Sequence, residues 1–321
     1  MTETPLSARF VSSVMECDHC SSPAVAYIRY NGSHLCTGHF KSYVERRVKK
    51  EIRIQADLRA GDKVAVAVSG GKDSMVLLSI MASVFDGRNG IKLCCVTVDE
   101  GIGGYRPPSA DIAERFCAEN GIEFRKISFS DVFGLTMDQV APLSDAGSPC
   151  TYCGVFRRKC LNMITKEVGA KYLATGHNLD DMAQSVMMNF VRGDVERLAR
   201  LGPHNIVQPG MIPRINPLRT LPEKESLLYA MLSGIPFYDG ICPYWEAALR
   251  NEYRDIIDGL EARTPGTRHS ILSSYDKLRP MIQAGRGPSK MRVCECGEST
   301  LSNKCKACEL SGRMLSRIRG P

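Results

Sequence analysis

The chain has 321 residues and 43% hydrophobic content, enough for the core of one large domain or of a domain with small appendages. Its formal net charge of +7 permits a nucleic-acid partner without demanding one. No apolar run approaches the roughly 18 residues of a membrane helix, and the opening MTETPLSARF lacks an apolar signal-peptide core. A membrane span is therefore not expected, and a cytoplasmic protein is. In a reducing compartment the 14 cysteines are expected to be metal ligands or catalytic thiols rather than disulfides.

The first element is a metal knot. Cys17-x2-Cys20 and Cys36-x2-His39 put two ligand pairs on short loops, and zinc takes four such N and S ligands tetrahedrally. His19 and His34 lie inside the knot and rank below His39 as ligands. Lys41, Arg46, Arg47, Lys49 and Lys50 follow, and residues 46–59 read as a charged helix. A buried strand over 64–68 then runs into Ser69-Gly70-Gly71-Lys72-Asp73-Ser74, with a helix pattern over 75–85. Glycines let consecutive N–H groups converge on one spot, and the helix behind adds its positive dipole end, which makes a phosphate site. The Walker A spacing is absent. Ser-Gly-Gly-x-Asp-Ser resembles instead the pyrophosphate loop of enzymes that cleave ATP between its α and β phosphates.

Downstream, residues 91–98 read as a second strand ending at Asp99-Glu100-Gly101, 109–120 as a helix and 122–128 as a third strand. A helix over 154–168 leads to a fourth strand, Tyr172-Leu173-Ala174, which ends at Thr175-Gly176-His177-Asn178-Leu179-Asp180-Asp181 where another helix opens. Alternating strands and helices predict an α/β fold, a doubly wound parallel sheet with its ligand at the carboxyl ends of the strands. Gly176 would let the backbone approach a nucleotide, and one or both of Asp180 and Asp181 would hold Mg²⁺ or take a proton, unless they only cap a helix.

Three more thiols fall inside this domain: Cys150 and Cys153 in Pro149-Cys150-Thr151-Tyr152-Cys153-Gly154, and the distant Cys242. Arg157, Arg158 and Lys159 stand near a helix start that would lower a thiol pKa. Three thiolates suit a [4Fe–4S] cluster with one iron lacking a protein ligand; a redox pair and a third zinc site remain alternatives. Cys94, Cys95, Cys117 and Cys160 sit in apolar patterns and read as core. Residues 192–221, with Arg192, Arg197, Arg200, Arg214 and Arg219 among Pro and Gly, read as an RNA-facing or merely solvated loop, and 245–285 as helices. The chain ends in a second knot, Cys294-x-Cys296 with Cys305-x2-Cys308, one residue tighter than the usual knuckle, amid Arg286, Lys290, Arg292, Lys304, Lys306, Arg313, Arg317 and Arg319. Two basic zinc modules favour RNA as the partner. The expected domains are 1–45 (zinc module), 46–285 (nucleotide-binding catalytic domain) and 286–321 (zinc module and basic tail).

The loop Ser69–Ser74, the Cys150–Cys153 pair, the Gly176–Asp181 turn, the lone Cys242 and the two end knots follow the order found in tRNA 2-thiouridine synthetases. The whole pattern resembles the TtuA-type enzymes and the archaeal and eukaryotic cytoplasmic wobble-uridine thiolation proteins. That resemblance implies ATP on Ser69, Gly70, Gly71, Lys72, Asp73, Ser74 and Gly176, with Arg157 near the phosphates. It implies a catalytic carboxylate at Asp181, a cluster on Cys150, Cys153 and Cys242, and two structural zincs. It implies adenylation of a uridine O2 and its replacement by sulfur, at the wobble position by preference or in the T loop. A homodimer and a sulfur supply from sulfide or a ubiquitin-like carrier also follow from it. A persulfide on Cys150 or Cys242, another tRNA-adenylating enzyme such as a lysidine synthetase, an ammonia-using ligase and a non-catalytic RNA-binding protein are the competing readings.

Overall fold

The computed structural model describes residues 15–87, 90–144, 149–203, 210–245, 250–285 and 292–319. Arg286 and Lys290 of the expected basic tail lie outside them. After two short hairpins around the first knot, helix α1 spans Thr37–Gln55. It begins inside the knot and continues past residue 45 without a break. Strand β1 (Lys63–Ala67) leads to α2 (Lys72–Val84) and β2 (Lys92–Asp99) to α3 (Arg106–Glu119); β3 (Glu123–Ser128) is followed by short helices over Phe129–Phe133 and Met137–Val140 and then by α4 (Pro149–Glu167). Strand β4 (Tyr172–Thr175), α5 (Leu179–Val191), a short helix over Val195–Arg200, β5 (Arg214–Ile215) and α6 (Glu223–Leu232) follow. Helices α7 (Arg250–Arg263), α8 (Thr267–Ala284) and, past the second knot, α9 (Lys306–Arg319) complete the order.

The five strands form one parallel sheet in the order β3-β2-β1-β4-β5. Chain direction across the sheet reverses between β1 and β4, and a doubly wound sheet opens its ligand crevice at that point. Ala67 of β1 pairs with Thr175 of β4, so the loops after both strands leave from one level. The sequence expectation of an α/β parallel sheet is met. The strand β5 lies in the Arg-rich stretch expected as a loop; two residues are too short to carry a period of two. Arg219 in that stretch does not face solvent: it is buried, and it pairs with Asp276 at 2.5 Å and Glu51 at 3.9 Å.

Alternation along β1 splits the core. Val64 and Val66 pack with α1, α2, α3 and α6, whereas Ala65 packs on the opposite face with α4 and α9. Each terminal module is built into one of these layers. Phe40, Val44 and Val48 of α1 are fully buried in the first, and Cys294, Cys305, Leu310 and Met314 are buried in the second. Cys94, Cys95, Cys117 and Cys160 are buried as expected. Burial pushes Cys94 to about 11 and Cys160 to about 12, which keeps both as inert thiols.

Arg47, expected among the RNA-facing residues, is spent inside the protein. It donates to the hydroxyls of Tyr30 and Tyr43 and to the Thr220 carbonyl, and lies 3.7 Å from the buried Glu225. Desolvation pushes Glu225 up to about 7 in spite of Arg47. The folded chain therefore holds a proton that the unfolded chain releases above its ordinary value of 4.5. That contribution is complete below 4.5 and is lost as pH rises to about 7, a swing of roughly 3 kcal/mol. Glu225→Gln is expected to raise the melting temperature more at pH 8 than at pH 5.5. Equal shifts at the two pH values in thermal melts would contradict this.

Candidate active site and metal centres

The turn between β1 and α2 is held by its own side chains. The Ser69 N–H donates to Ser74 Oγ (3.1 Å), and Ser74 Oγ donates to the Gly71 carbonyl (2.8 Å). Gly70 has φ +80°, and a Cβ there would stand 2.0 Å from the Ser109 carbonyl oxygen. Gly71 caps α2 without a side-chain hydrogen bond, so the amides of the first helical turn are not used by a capping side chain. Lys72 Nζ lies 2.9 Å from the Asp73 carboxylate and 3.7 Å from Glu223. Backbone N–H donors, a dipole end and one ammonium thus converge at the crevice, as a phosphate requires.

At the end of β4, Gly176 approaches protein rather than open space. A Cβ would lie 3.0 Å from Ser74 N and 3.1 Å from the Asp73 carbonyl, so its lack of a side chain lets β4 close on the first turn of α2. Asn178 and Asp181 form a reciprocal capping box with bonds of 3.0 and 3.1 Å, and Asp181 also accepts from Arg250 at 3.0 Å. Asp180 points elsewhere. It is buried, accepts from the Glu223 N–H at 2.7 Å and pairs with Arg268 at 2.6 Å, which ties α5 to α6 and α8. Of the two carboxylates, Asp181 is the one left near the crevice. Thr175 Oγ1 gives its proton to Asn216 Oδ1 (2.5 Å), so His177 Nδ1, 2.7 Å from Thr175 Oγ1, must carry its own hydrogen. Desolvation in the cleft lowers the His177 pKa and keeps the ring neutral.

The three central thiols meet at this end of the sheet. Tyr238 N–H donates to the Gly70 carbonyl (2.8 Å), and Gly71 bridges Tyr238 as a parallel pair. Six residues on, Cys150 Sγ donates to the Tyr244 carbonyl at 3.7 Å. The segment bearing Cys242 therefore starts on the phosphate loop and ends on Cys150. Cys153 and Cys242 both pack, partly buried, against the same layer of the core. Arg157 Nη2 donates to Cys153 Sγ at 3.1 Å, while Arg157 Nε contacts the buried Glu100 at 2.8 Å. The lowered thiol pKa expected from the basic run is not found at Cys153: burial outweighs Arg157 and raises it. Lys159 of that run turns away altogether and donates to Cys308 of the C-terminal knot at 3.4 Å.

Both knots assemble with all four expected ligands each. His39 Nδ1 lies 3.4, 3.5 and 3.3 Å from the sulfurs of Cys17, Cys20 and Cys36, and Cys20 and Cys36 are 3.7 Å apart. Zinc–sulfur bonds of about 2.3 Å in a tetrahedron demand sulfurs about 3.8 Å apart. His34 pairs with Asp18 instead. Cys296 and Cys305 are 3.5 Å apart despite the tight Cys294-x-Cys296 spacing, because Gly297 adopts φ +84° and the chain turns within one residue. The amides of Cys296 and Cys305 pull Cys294 down to about 6, which prepares it as a thiolate ligand. Among the described residues, Cys150, Cys153 and Cys242 do not close into such a tight group.

A PP-loop domain model matches residues 41–257, and a model of the 2-thiouridine synthetase TtuA N-terminal LIM domain matches residues 16–41. The tRNA 2-thiolation protein NcsA of Haloferax volcanii is 38% identical over 92% of this chain and 98% of its own. The cytoplasmic tRNA 2-thiolation protein 1 of Bos taurus is 37% identical over 92% of this chain and 86% of its own. Among solved structures, the U34-tRNA thiolase NcsA from Methanococcus maripaludis with its [4Fe-4S] cluster superposes with a TM-score of 0.80 at 35% identity. That match covers 93% of this chain and 96% of the other. The chain belongs to the PP-loop tRNA 2-thiolation protein family.

For a member of this family the fold and the assembled knots agree with the sequence expectations. Among the described residues, no helix is long and apolar enough to cross a membrane. Residues that the sequence reading missed at the thiolation-family site are Arg106, Tyr238 and Arg250, and Glu100 was noted only as a strand end. Arg106 and Arg250 stand 37 and 69 positions from the groups they bind, Ser69 and Asp181, so no local spacing could have marked them.

Proposed function

We propose that this protein is an ATP-dependent tRNA uridine 2-sulfurtransferase acting on the wobble uridine. The observation that carries the proposal is the segment from Tyr238 to Tyr244, which hydrogen-bonds the phosphate loop at one end and Cys150 at the other and bears Cys242 between. One crevice thus holds an ATP site beside three thiols. The amides after Gly71, with Lys72, would hold the triphosphate, and Asp181 would hold the Mg²⁺ that offsets its charge. The uracil O2 attacks the α-phosphorus and pyrophosphate leaves. Sulfide then attacks C2, and AMP departs with the former O2 as one of its oxygens. A [4Fe–4S] cluster on Cys150, Cys153 and Cys242 supplies, when bound, an open iron that can carry the sulfur. Zinc in each terminal knot serves structure. The names of the relatives support tRNA as substrate and a cytoplasmic location. The family resemblance supports a homodimer and sulfur from sulfide or a ubiquitin-like carrier.

The test is anaerobic reconstitution followed by incubation with tRNA, ATP, Mg²⁺ and sulfide. Expected are 2-thiouridine at the wobble position, AMP and pyrophosphate in equal amounts, and about four irons with two zincs per chain. Cys242→Ala should keep its zinc and lose its iron and product. Full thiolation by an iron-free protein under these conditions would overturn the cluster and leave direct attack of free sulfide on the adenylated C2 as the route.

A further inference from the structure

The residue immediately after β2, Glu100, is fully buried, and its carboxylate sits between two guanidinium groups. Arg106 grips it in a fork, through Nε to one oxygen and through Nη2 to the other at 2.5 Å. The third nitrogen of Arg106, Nη1, donates to the Ser69 carbonyl of the phosphate loop at 2.8 Å. On the opposite side Arg157 Nε lies 2.8 Å from Glu100 Oε1, and Arg157 Nη2 donates to Cys153 Sγ at 3.1 Å. An unbroken polar chain therefore runs Ser69, Arg106, Glu100, Arg157, Cys153.

We infer that Glu100 is a positioning residue that couples occupancy of the phosphate loop to the surroundings of Cys153, through Arg106 on one side and Arg157 on the other. The inference rests on the reading of that loop as an ATP site. A carboxylate with no solvent contact cannot exchange its partners for water, so both arginines are held by it or left uncompensated. Each guanidinium is planar with its donors fixed relative to one another, so a shift at one edge is carried to the other. Arg106 cannot follow the Ser69 carbonyl without moving the carboxylate it forks. Glu100 in turn sets Arg157, whose side chain is 46% exposed and whose Nε lies 2.8 Å from the buried carboxylate. Arg157 also has five N–H donors, more than these two bonds use, so it is equipped to meet an anion in the crevice while holding Cys153. The role assigned to Glu100 is thus to let a nucleotide on one side of the crevice be sensed at a thiol on the other.

The test uses zinc-loaded, cluster-free protein and the slowly hydrolysed probe α,β-methylene-ATP with Mg²⁺, at a concentration that saturates each variant. The rate of iodoacetamide alkylation at Cys153 is followed by peptide mass spectrometry. In the unaltered protein the nucleotide is expected to change that rate by at least about threefold. In Glu100→Gln the nucleotide should still bind and leave the rate at Cys153 unchanged. Arg106→Lys keeps a cation but loses the fork, and it should lose the nucleotide effect as well, which serves if Glu100→Gln does not fold. A nucleotide effect of full size in either variant would mean direct shielding of Cys153 and would overturn the coupling. So would the lack of any effect in unaltered protein that binds the probe. Failure of the unaltered protein to bind the probe would overturn the ATP reading together with the coupling, and calorimetry separates that case from the others.

Discussion

Gly70→Ala is expected to abolish nucleotide binding. At φ +80° any L side chain is strained by about 1–2 kcal/mol. The greater obstacle is space: the new Cβ would lie 2.0 Å from the Ser109 carbonyl oxygen, 2.6 Å from its carbon and 3.0 Å from its Cα. All three are backbone atoms of α3, and they cannot turn aside as a flexible side chain would. Ser109 is buried and its Oγ lies 3.3 Å from Arg106, itself forked onto Glu100, so α3 is anchored at this point. The loop must move instead. Doing so breaks the bond from Tyr238 to the Gly70 carbonyl and turns the amides away from the phosphates. Isothermal titration with α,β-methylene-ATP should show affinity down by at least about a hundredfold, or about 2.7 kcal/mol. Gly71→Ala is the matched control. Its φ is −75°, and the nearest atom to a Cβ is Ser69 Oγ at 3.5 Å, so the fold should persist. Affinity within a few-fold of normal in Gly70→Ala would contradict the argument.

Removal of the first metal knot should have the second large effect. Cys36 is at once a member of the four-residue group that could hold a metal and the cap residue of α1, and His39 lies in the first turn of that helix. The same helix delivers Phe40, Val44 and Val48 to the core above α2. Structural zinc contributes an apparent 10–16 kcal/mol in isolated finger peptides. Only part of that applies here, because the body of α1 is held by packing as well. Cys36→Ala is expected to bind one zinc per chain rather than two and to lower the melting temperature by roughly 4–7 °C, the equivalent of about 3–5 kcal/mol. Zinc analysis and thermal melts check both numbers. Unchanged zinc content would show that the four groups do not form the site. Because the thiols must be deprotonated to bind, the zinc-dependent part of the stability should shrink as pH falls.

How much was legible beforehand varies with the range of the interaction. The phosphate loop, both knots, the Gly176–Asp181 turn and four of five sheet strands are written in contiguous residues, so they could be read locally. Asp180 and Asp181 looked equivalent by that measure, and so did Arg47 and its basic neighbours. Only packing told them apart: Asp180 is drawn inward by Glu223 and Arg268, and Arg47 by Tyr30, Tyr43 and Glu225. The thiol chemistry followed the same rule. Helix position and cations argued for a low pKa at Cys153, but desolvation is a property of everything packed around a group, and it prevailed.

The chemistry available to this protein is set by short stretches of its chain: backbone donors for phosphate, four-ligand knots for metal, three further thiols and an α/β parallel scaffold. These depend on glycine freedom, ligand spacing and hydrophobic period, all local quantities. Tertiary structure alone decided which groups share one crevice. The reversal of sheet direction between β1 and β4 opens it, Tyr238 to Tyr244 brings Cys242 into it, and Glu100 bridges Arg106 and Arg157 across it. Those partners come from segments tens of residues apart, and a buried charge finds its counter-charge only when the chain has folded around it.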